Sequence, residues 1–129
     1  MKRILIAEDD TDLADILREA LTERLDVEVI AIANGALVMD SVTAQRPDLL
    51  VLDVGLPGLN GLDVFDLLRS DPHGQAIPVL FLTAVPEEAA TASTATGVNE
   101  VLAKPFDIDD LISRADRLLN GTKTTEIAA

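Results

Sequence analysis

Four short apolar runs, each ending in a residue that carries chemistry, constrain this chain more than any other feature. Leu49-Leu50-Val51-Leu52 ends at Asp53, and Ile4-Leu5-Ile6-Ala7 leads into Glu8 and Asp9. Val79-Leu80-Phe81-Leu82 ends at Thr83, and Val101-Leu102-Ala103 ends at Lys104. Nearly continuous apolar runs of this length read as strands buried on both faces. Helix-like stretches separate them, and that alternation predicts a βα-repeating α/β domain with a parallel sheet. In an open parallel sheet the carboxyl tips of the strands share one rim, where ligands bind. Three acids, a hydroxyl and a lysine are therefore expected along a single rim.

The pattern places strand one at about residues 3–7 and a helix at about 12–25, with Leu13, Ile16, Leu17, Ala20 and Leu21 on one face. Asp10 or Thr11 can cap that helix. Val27–Ile32 reads as a second strand, at an edge because Glu28 interrupts it. Asn34-Gly35 turns into a helix over about 36–45, which stops before Pro47. Strand three is Leu49–Asp53, and a turn rich in glycine precedes a helix over about 61–70 that buries Leu62, Phe65 and Leu68. Strands follow at about 78–82 and 100–103. Asp107 with Asp110 resembles an acidic start box for a last helix presenting Ile108, Leu111, Ile112, Ala115 and Leu118. Residues 87–96 should form the remaining helix, but they hold no large apolar side chain and several Thr and Ser residues. That segment reads equally as an ordinary helix on small residues or as a mobile element beside the rim. The folded domain is expected over residues 1–121, with a polar tail over 122–129.

Composition narrows the function classes. A chain of 129 residues, 48% apolar, suits one domain with a single core. A net charge of −13 repels nucleic-acid phosphates and anionic membranes, so no direct contact with either is expected. The absence of cysteine excludes disulfides, thiolate metal sites and a thiol nucleophile. Met1-Lys2-Arg3-Ile4 opens an apolar stretch too short for a signal peptide or a membrane span, so a cytoplasmic location is the default expectation.

The rim residues fit one chemistry. Mg²⁺ prefers oxygen ligands and keeps several waters, so one or two carboxylates suffice to hold it. Glu8, Asp9 and Asp53 supply carboxylates, and the backbone carbonyl of Gly55 can complete the protein's share. Asp53 is then the natural nucleophile toward a phosphodonor, giving an aspartyl phosphate. Lys104 would neutralise phosphoryl oxygens, Thr83 would donate a hydrogen bond, and Ala84 would leave room. Taken singly each has a plainer reading. A strand-end Asp is more often a cap or turn residue, Glu8-Asp9-Asp10 can be a helix-start cluster, and a lysine before proline is usually a surface lysine. Their joint placement after successive strands carries the case.

Over about residues 2–120 the chain resembles the receiver domain of two-component response regulators, which are CheY-like. The resemblance rests on Ile4-Leu5-Ile6-Ala7-Glu8-Asp9-Asp10, Pro47-Asp48-Leu49-Leu50-Val51-Leu52-Asp53, Leu56-Pro57-Gly58-Leu59-Asn60-Gly61, Leu82-Thr83-Ala84 and Ala103-Lys104-Pro105-Phe106. It implies a flavodoxin-like three-layer α/β sandwich with a five-stranded parallel sheet in the order 2-1-3-4-5. It implies that Asp53 accepts a phosphoryl group from a histidine kinase or histidine phosphotransfer protein. Mg²⁺ would sit at Glu8, Asp9, Asp53 and the main chain of Gly55, with phosphate contacts from Thr83 and Lys104. Such a protein is no enzyme beyond its own phosphorylation and dephosphorylation. Signalling would pass to a protein partner through the face of the predicted fourth helix, fifth strand and fifth helix, with no DNA-binding output domain in this chain.

Two departures from the family pattern stand out. Receivers often carry Tyr or Phe three residues before the lysine, and this chain has Val101 there. The threonine–aromatic switch of Thr83 and residue 101 therefore cannot operate in its ordinary form, and backbone shifts over residues 83–97 would have to replace it. Gly55 stands where many receivers have a larger side chain, and with Val85 it flanks the expected path of hydrolytic water. Other classes fit less well. A phosphorylation-independent module on the same fold, or an isolated receiver fragment of a larger regulator or hybrid kinase, remains open. A haloacid-dehalogenase-type enzyme needs an acid two residues past its nucleophile, where Gly55 stands. A flavin binder would want more aromatics than three Phe and a glycine-rich first turn. His73, before strand four, reads as a surface residue.

Overall fold

The computed structural model describes residues 1–89 and 99–120. The strands are β1 (Lys2–Ala7), β2 (Val27–Ile32), β3 (Leu49–Asp53), β4 (Val79–Thr83) and β5 (Asn99–Ala103). The α-helices described are α1 (Thr11–Arg24), α2 (Val38–Gln45), α3 (Gly61–Ser70) and α4 (Ile108–Leu119). All strand pairs are parallel, and the sheet order is β2-β1-β3-β4-β5. This is the flavodoxin-like order that the resemblance implies, with β2 at an edge as its interrupting Glu28 suggests.

Side-chain alternation sorts the core into two layers. Ile4, Ile6, Leu49, Val51, Leu80, Leu82 and Leu102 pack with Leu17 and Leu21 of α1 and Leu111, Ile112 and Leu118 of α4. Leu5, Ala7, Leu50, Leu52, Val79 and Phe81 face the other way, onto Val38 and Val42 of α2 and Val64, Phe65 and Leu68 of α3. Period-two alternation in each strand thus feeds both faces of one sheet. Each fully buried leucine contributes roughly 1.5–3 kcal/mol, which is how a chain so poor in aromatics still holds a core. In α3 the buried set is Val64, Phe65 and Leu68, with Leu62 half-buried rather than in the core.

Caps set the helix starts. The Asp10 carboxylate accepts from the Leu13 N–H, so Asp10 rather than Thr11 opens α1. Asn60 caps α3 by accepting from Leu62 and Asp63. Asp107 caps α4 by accepting from Asp109 N–H. Asp110 does not close a box with it: its carboxylate is taken by Arg114, one turn on, at 3.0 Å. The helix expected over 36–45 begins as a 3₁₀ turn, Gly35–Leu37, and ends where Arg46 turns left-handed at φ 49°. Of the helix predicted over 87–96, only the first turn falls among the described residues, as a 3₁₀ turn over Pro86–Ala89 with Ala89 buried. Its remainder, and the tail after residue 120, lie outside them. Among the described residues no helix is long and apolar enough to cross a membrane.

The loop after β3 is held tightly. Gly61 N–H donates to Val54 C=O at 2.8 Å, and a Cβ on Gly61 would lie 2.7 Å from both the Asp53 carbonyl oxygen and the Val54 Cα. Both obstacles are backbone, so no rotamer change relieves them. Gly61→Ala should therefore cost about 1–3 kcal/mol of stability by urea unfolding. A variant as stable as the parent would show that this backbone yields.

Candidate functional site

Residues at the carboxyl ends of β1, β3, β4 and β5 converge on one rim, and alternation decides which side each one takes. Continuing the period of two, Glu8 follows Ile4 and Ile6, Asp53 follows Leu49 and Val51, and Lys104 follows Leu102, all on the α1/α4 face. The ladder does extend that far, since Glu8 N–H donates to Ile32 C=O at 3.0 Å and Lys104 N–H to Thr83 C=O at 2.8 Å. Thr83 has the opposite parity, that of Val79 and Phe81.

Glu8 is 2% exposed and Asp53 5% exposed, whereas Asp9 is open to solvent. Carboxylate oxygens of these three residues all lie within 4.8 Å of one another. The Lys104 ammonium bridges the two buried ones, with Nζ 3.1 Å from Glu8 and 3.4 Å from Asp53. Sequence reasoning aimed Lys104 at a phosphoryl group; here its nearer partner is Glu8. Backbone N–H groups complete the pairing, Asp10 donating to Glu8 at 3.1 Å and Gly55 to Asp53 at 3.1 Å. Among the described residues no buried side-chain polar atom lacks a partner.

The electrostatics are those of a site short of positive charge. Burial pushes the Glu8 carboxyl above the ordinary glutamate value, the neighbouring Asp53 adds to this, and hydrogen bonds from Asp10 N–H and Lys104 only partly oppose it. Burial also works against the Lys104 charge, but Glu8 and Asp53 outweigh it and hold the ammonium above the ordinary lysine value. Three carboxylates against one ammonium leave a deficit that a hard cation with oxygen ligands fits. Every donor is oxygen, which suits Mg²⁺ over softer metals.

The other predicted residues are placed as follows. Thr83 is 4% exposed, and its hydroxyl is engaged by Val85, accepting from the Val85 N–H at 3.0 Å. Val85 is the participant that sequence reasoning did not name for this role. The signal was present, since a threonine two residues before a free backbone N–H at a strand end invites such a turn. Gly55 lies open, and a Cβ there would meet only an Asp53 oxygen at 3.8 Å. Val101 is half-buried and packs with the α2/α3 layer. His73 is half exposed beside Asp71, away from the rim.

Comparison with known proteins names this arrangement. The family model described as the response regulator receiver domain matches residues 4–116. The chain belongs to that family. Two of its curated relatives are a transcriptional regulatory protein, CrdR, of Helicobacter pylori, 35% identical over 92% of this chain, and the response regulator PmrA of Pseudomonas aeruginosa, 39% identical over 93%. The match covers 55% and 53% of those proteins, so the receiver chain spans about half the length of the curated relatives it matches. A solved receiver domain of a histidine kinase from Syntrophus aciditrophicus superposes with a TM-score of 0.83 at 30% identity, covering 95% of this chain and 93% of that one. The receiver domain of a sensor histidine kinase from Pseudomonas aeruginosa, described with a magnesium ion coordinated in its active-site cleft, gives 0.77 at 28% identity, covering 93% and 98%. Receiver domains bind Mg²⁺ at an acidic pocket, and this receiver has the acidic cluster.

The raised Glu8 pKa fixes the sign of a pH effect in metal-free buffer. Between the unfolded value, 4.5, and the higher folded one, the native state binds more protons than the unfolded state. This group's contribution to stability therefore falls as pH rises through that window. Glu8→Gln should remove that share of the slope and leave the variant the more stable at pH 7. Urea unfolding from pH 4 to 8 checks it, and a slope identical to the parent's would contradict it.

Proposed function

We propose that this receiver takes a phosphoryl group onto Asp53 from the phosphohistidine of a histidine kinase or phosphotransfer protein. The observation that supports this most is the buried Asp53 carboxylate, beside a second buried acid and within 3.4 Å of a lysine ammonium, at the open rim of a parallel sheet. An Asp53 carboxylate oxygen forms the new P–O bond as the donor's P–N bond breaks, and the bond's electron pair leaves with the imidazole. Lys104 moves its charge from Glu8 and Asp53 onto the phosphoryl oxygens as negative charge develops there. The Gly55 N–H, already on Asp53, keeps the nucleophile oriented.

Glu8, Asp9, Asp53 and the backbone carbonyl of Gly55 are the groups that would hold Mg²⁺. When bound, it supplies charge neutralisation to the phosphoryl oxygens. The fit is supported by the all-oxygen donor set and by the excess negative charge around Glu8. Downstream, the phosphorylated domain would act by protein contact through the surface that includes β5 and α4. A phosphorylation-independent role finds support in Val101 and in the small-residue sequence of 87–96, and the retention of Glu8, Asp9, Asp53, Thr83 and Lys104 weighs against it.

Incubation with Mg²⁺ and a small-molecule phosphodonor should add one phosphoryl group by intact mass. Asp53→Asn should add none, and chelation should slow the reaction by about a hundredfold or more. An equal adduct on the Asn variant, or none on the parent, would overturn the proposal.

A further inference from the structure

We propose that Asn34 and Gly35, in the connection that follows β2, are positioning residues for the phosphoacceptor site, because they hold the loop that carries the Gly55 carbonyl. The inference rests on the phosphoryl and Mg²⁺ reading above and names what keeps one of its metal-binding groups in place.

Three observations carry it. First, two loops interlock at their glycines. The Gly35 N–H donates to Pro57 C=O at 2.9 Å, and the Leu59 N–H donates to the same carbonyl at 3.0 Å. Gly35 is buried, and a Cβ on it would overlap the Leu59 carbonyl group. In return Gly58, at φ 82°, leaves space for Asn34, since a Cβ there would overlap Asn34 Oδ1 and lie 2.9 Å from its Cγ. Each glycine thus gives up the volume that the other loop fills. Second, the Asn34 amide sets the donor. Its Oδ1 accepts from Ala36 N–H at 2.7 Å and so caps the 3₁₀ turn Gly35–Leu37 that aims the Gly35 N–H. Third, the loop after β3 is otherwise held from within. Gly61 N–H ties its far end to Val54 C=O, and Val54 and Leu56 are buried in the α2/α3 layer. Gly55 stands between them, open to solvent. Among the described residues, Gly35 N–H is the one backbone group from another connection that is hydrogen-bonded to residues 55–60.

A backbone carbonyl has no rotamers, so its direction is that of its peptide plane. What holds the chain on either side of Gly55 therefore decides where that oxygen points. On one side the Gly55 N–H is tied to the Asp53 carboxylate. On the other, two residues on, the Pro57 carbonyl is tied to Gly35. Mg²⁺ tolerates little departure from octahedral geometry, so a wandering carbonyl costs affinity. The same connection also braces the acid side of the site, because Ile32 C=O, two residues before Asn34, accepts from Glu8 N–H at 3.0 Å. One short connection thus steadies two groups of the site without touching the ion.

Gly35→Ala sets backbone against backbone and is expected to misfold, so the test uses Asn34 in the full chain. Asn34→Ala removes the cap and the contact with Gly58 while leaving every proposed metal-binding group in place. Asn34→Ser keeps a capping oxygen. Calorimetric titration of the metal-free proteins with Mg²⁺ should show Asn34→Ala binding about tenfold more weakly, the scale of losing a group that orients a ligand. The Gly35 amide should exchange about fivefold faster or more in the metal-free variant, as the Pro57 hydrogen bond loosens. With a small-molecule phosphodonor, and intact mass as the readout, the variant should need about ten times more Mg²⁺ for its half-maximal rate and reach the parent's rate at saturation. Asn34→Ser should recover most of each loss. Urea unfolding without Mg²⁺ separates this from a packing role: an Asn34→Ala protein that is less stable but binds Mg²⁺ as the parent does would overturn the inference. So would a Ser variant as weak as the Ala variant. A parent that gains no adduct would instead overturn the proposed function, and the Mg²⁺ affinities would still decide the role of Asn34. A parent that binds no Mg²⁺ would overturn the metal reading and this inference with it.

Discussion

Parallel pairing in register ties the carboxyl end of every strand in this sheet to one rim, and the side-chain period of two then settles which groups meet there. Glu8, Asp53 and Lys104 continue the face that carries Ile6, Val51 and Leu102, so one ammonium reaches two buried carboxylates. A slip of one residue in β1 or β3 would turn its acid to the opposite face and bury the wrong apolar set. The register that builds the core is thus the register that builds the site. Core packing fixes it strongly, since Ile4, Leu5, Ile6, Leu50, Val51 and Leu52 are fully buried.

Two buried acids side by side are a cost to the fold. Desolvation and the Asp53 charge raise the Glu8 pKa, while Lys104 and a backbone N–H meet part of the demand. The site is held short of positive charge, with an exposed third carboxylate, Asp9, at its mouth. That imbalance favours a hard divalent cation with oxygen ligands. At the same rim the Thr83 hydroxyl is engaged by Val85.

Much of this was legible in the residues. The apolar runs around Ile6, Val51, Leu80 and Leu102 predicted four buried parallel strands with the acids, Thr83 and Lys104 at their tips, because burial on both faces demands unbroken apolar sequence. The strand order came from the resemblance, since pattern alone does not say which strands are neighbours. Less was legible where partners come from far along the chain. Nothing around Asp110 predicts that Arg114 takes its carboxylate, and nothing around Lys104 says that Glu8, 96 positions away, is its nearer partner. Nor does apolar character distinguish Leu62, left half-buried, from Val64, which enters the core: a small rotation of α3 decides it. The Thr83–Val85 contact is local, and its spacing is visible in the sequence once the strand end is known.

A Mg²⁺ titration of the metal-free ¹⁵N-labelled protein, followed by amide chemical shifts, tests the central claim most directly. That claim is that Glu8, Asp9 and Asp53 form one cation-dependent phosphoacceptor site. The account predicts saturable shifts confined to the amides of residues 8–10, 53–55 and 104, none at His73, and markedly weaker binding by Asp53→Asn. Shifts spread evenly over the surface acids, or the same affinity in the Asn variant, would contradict it.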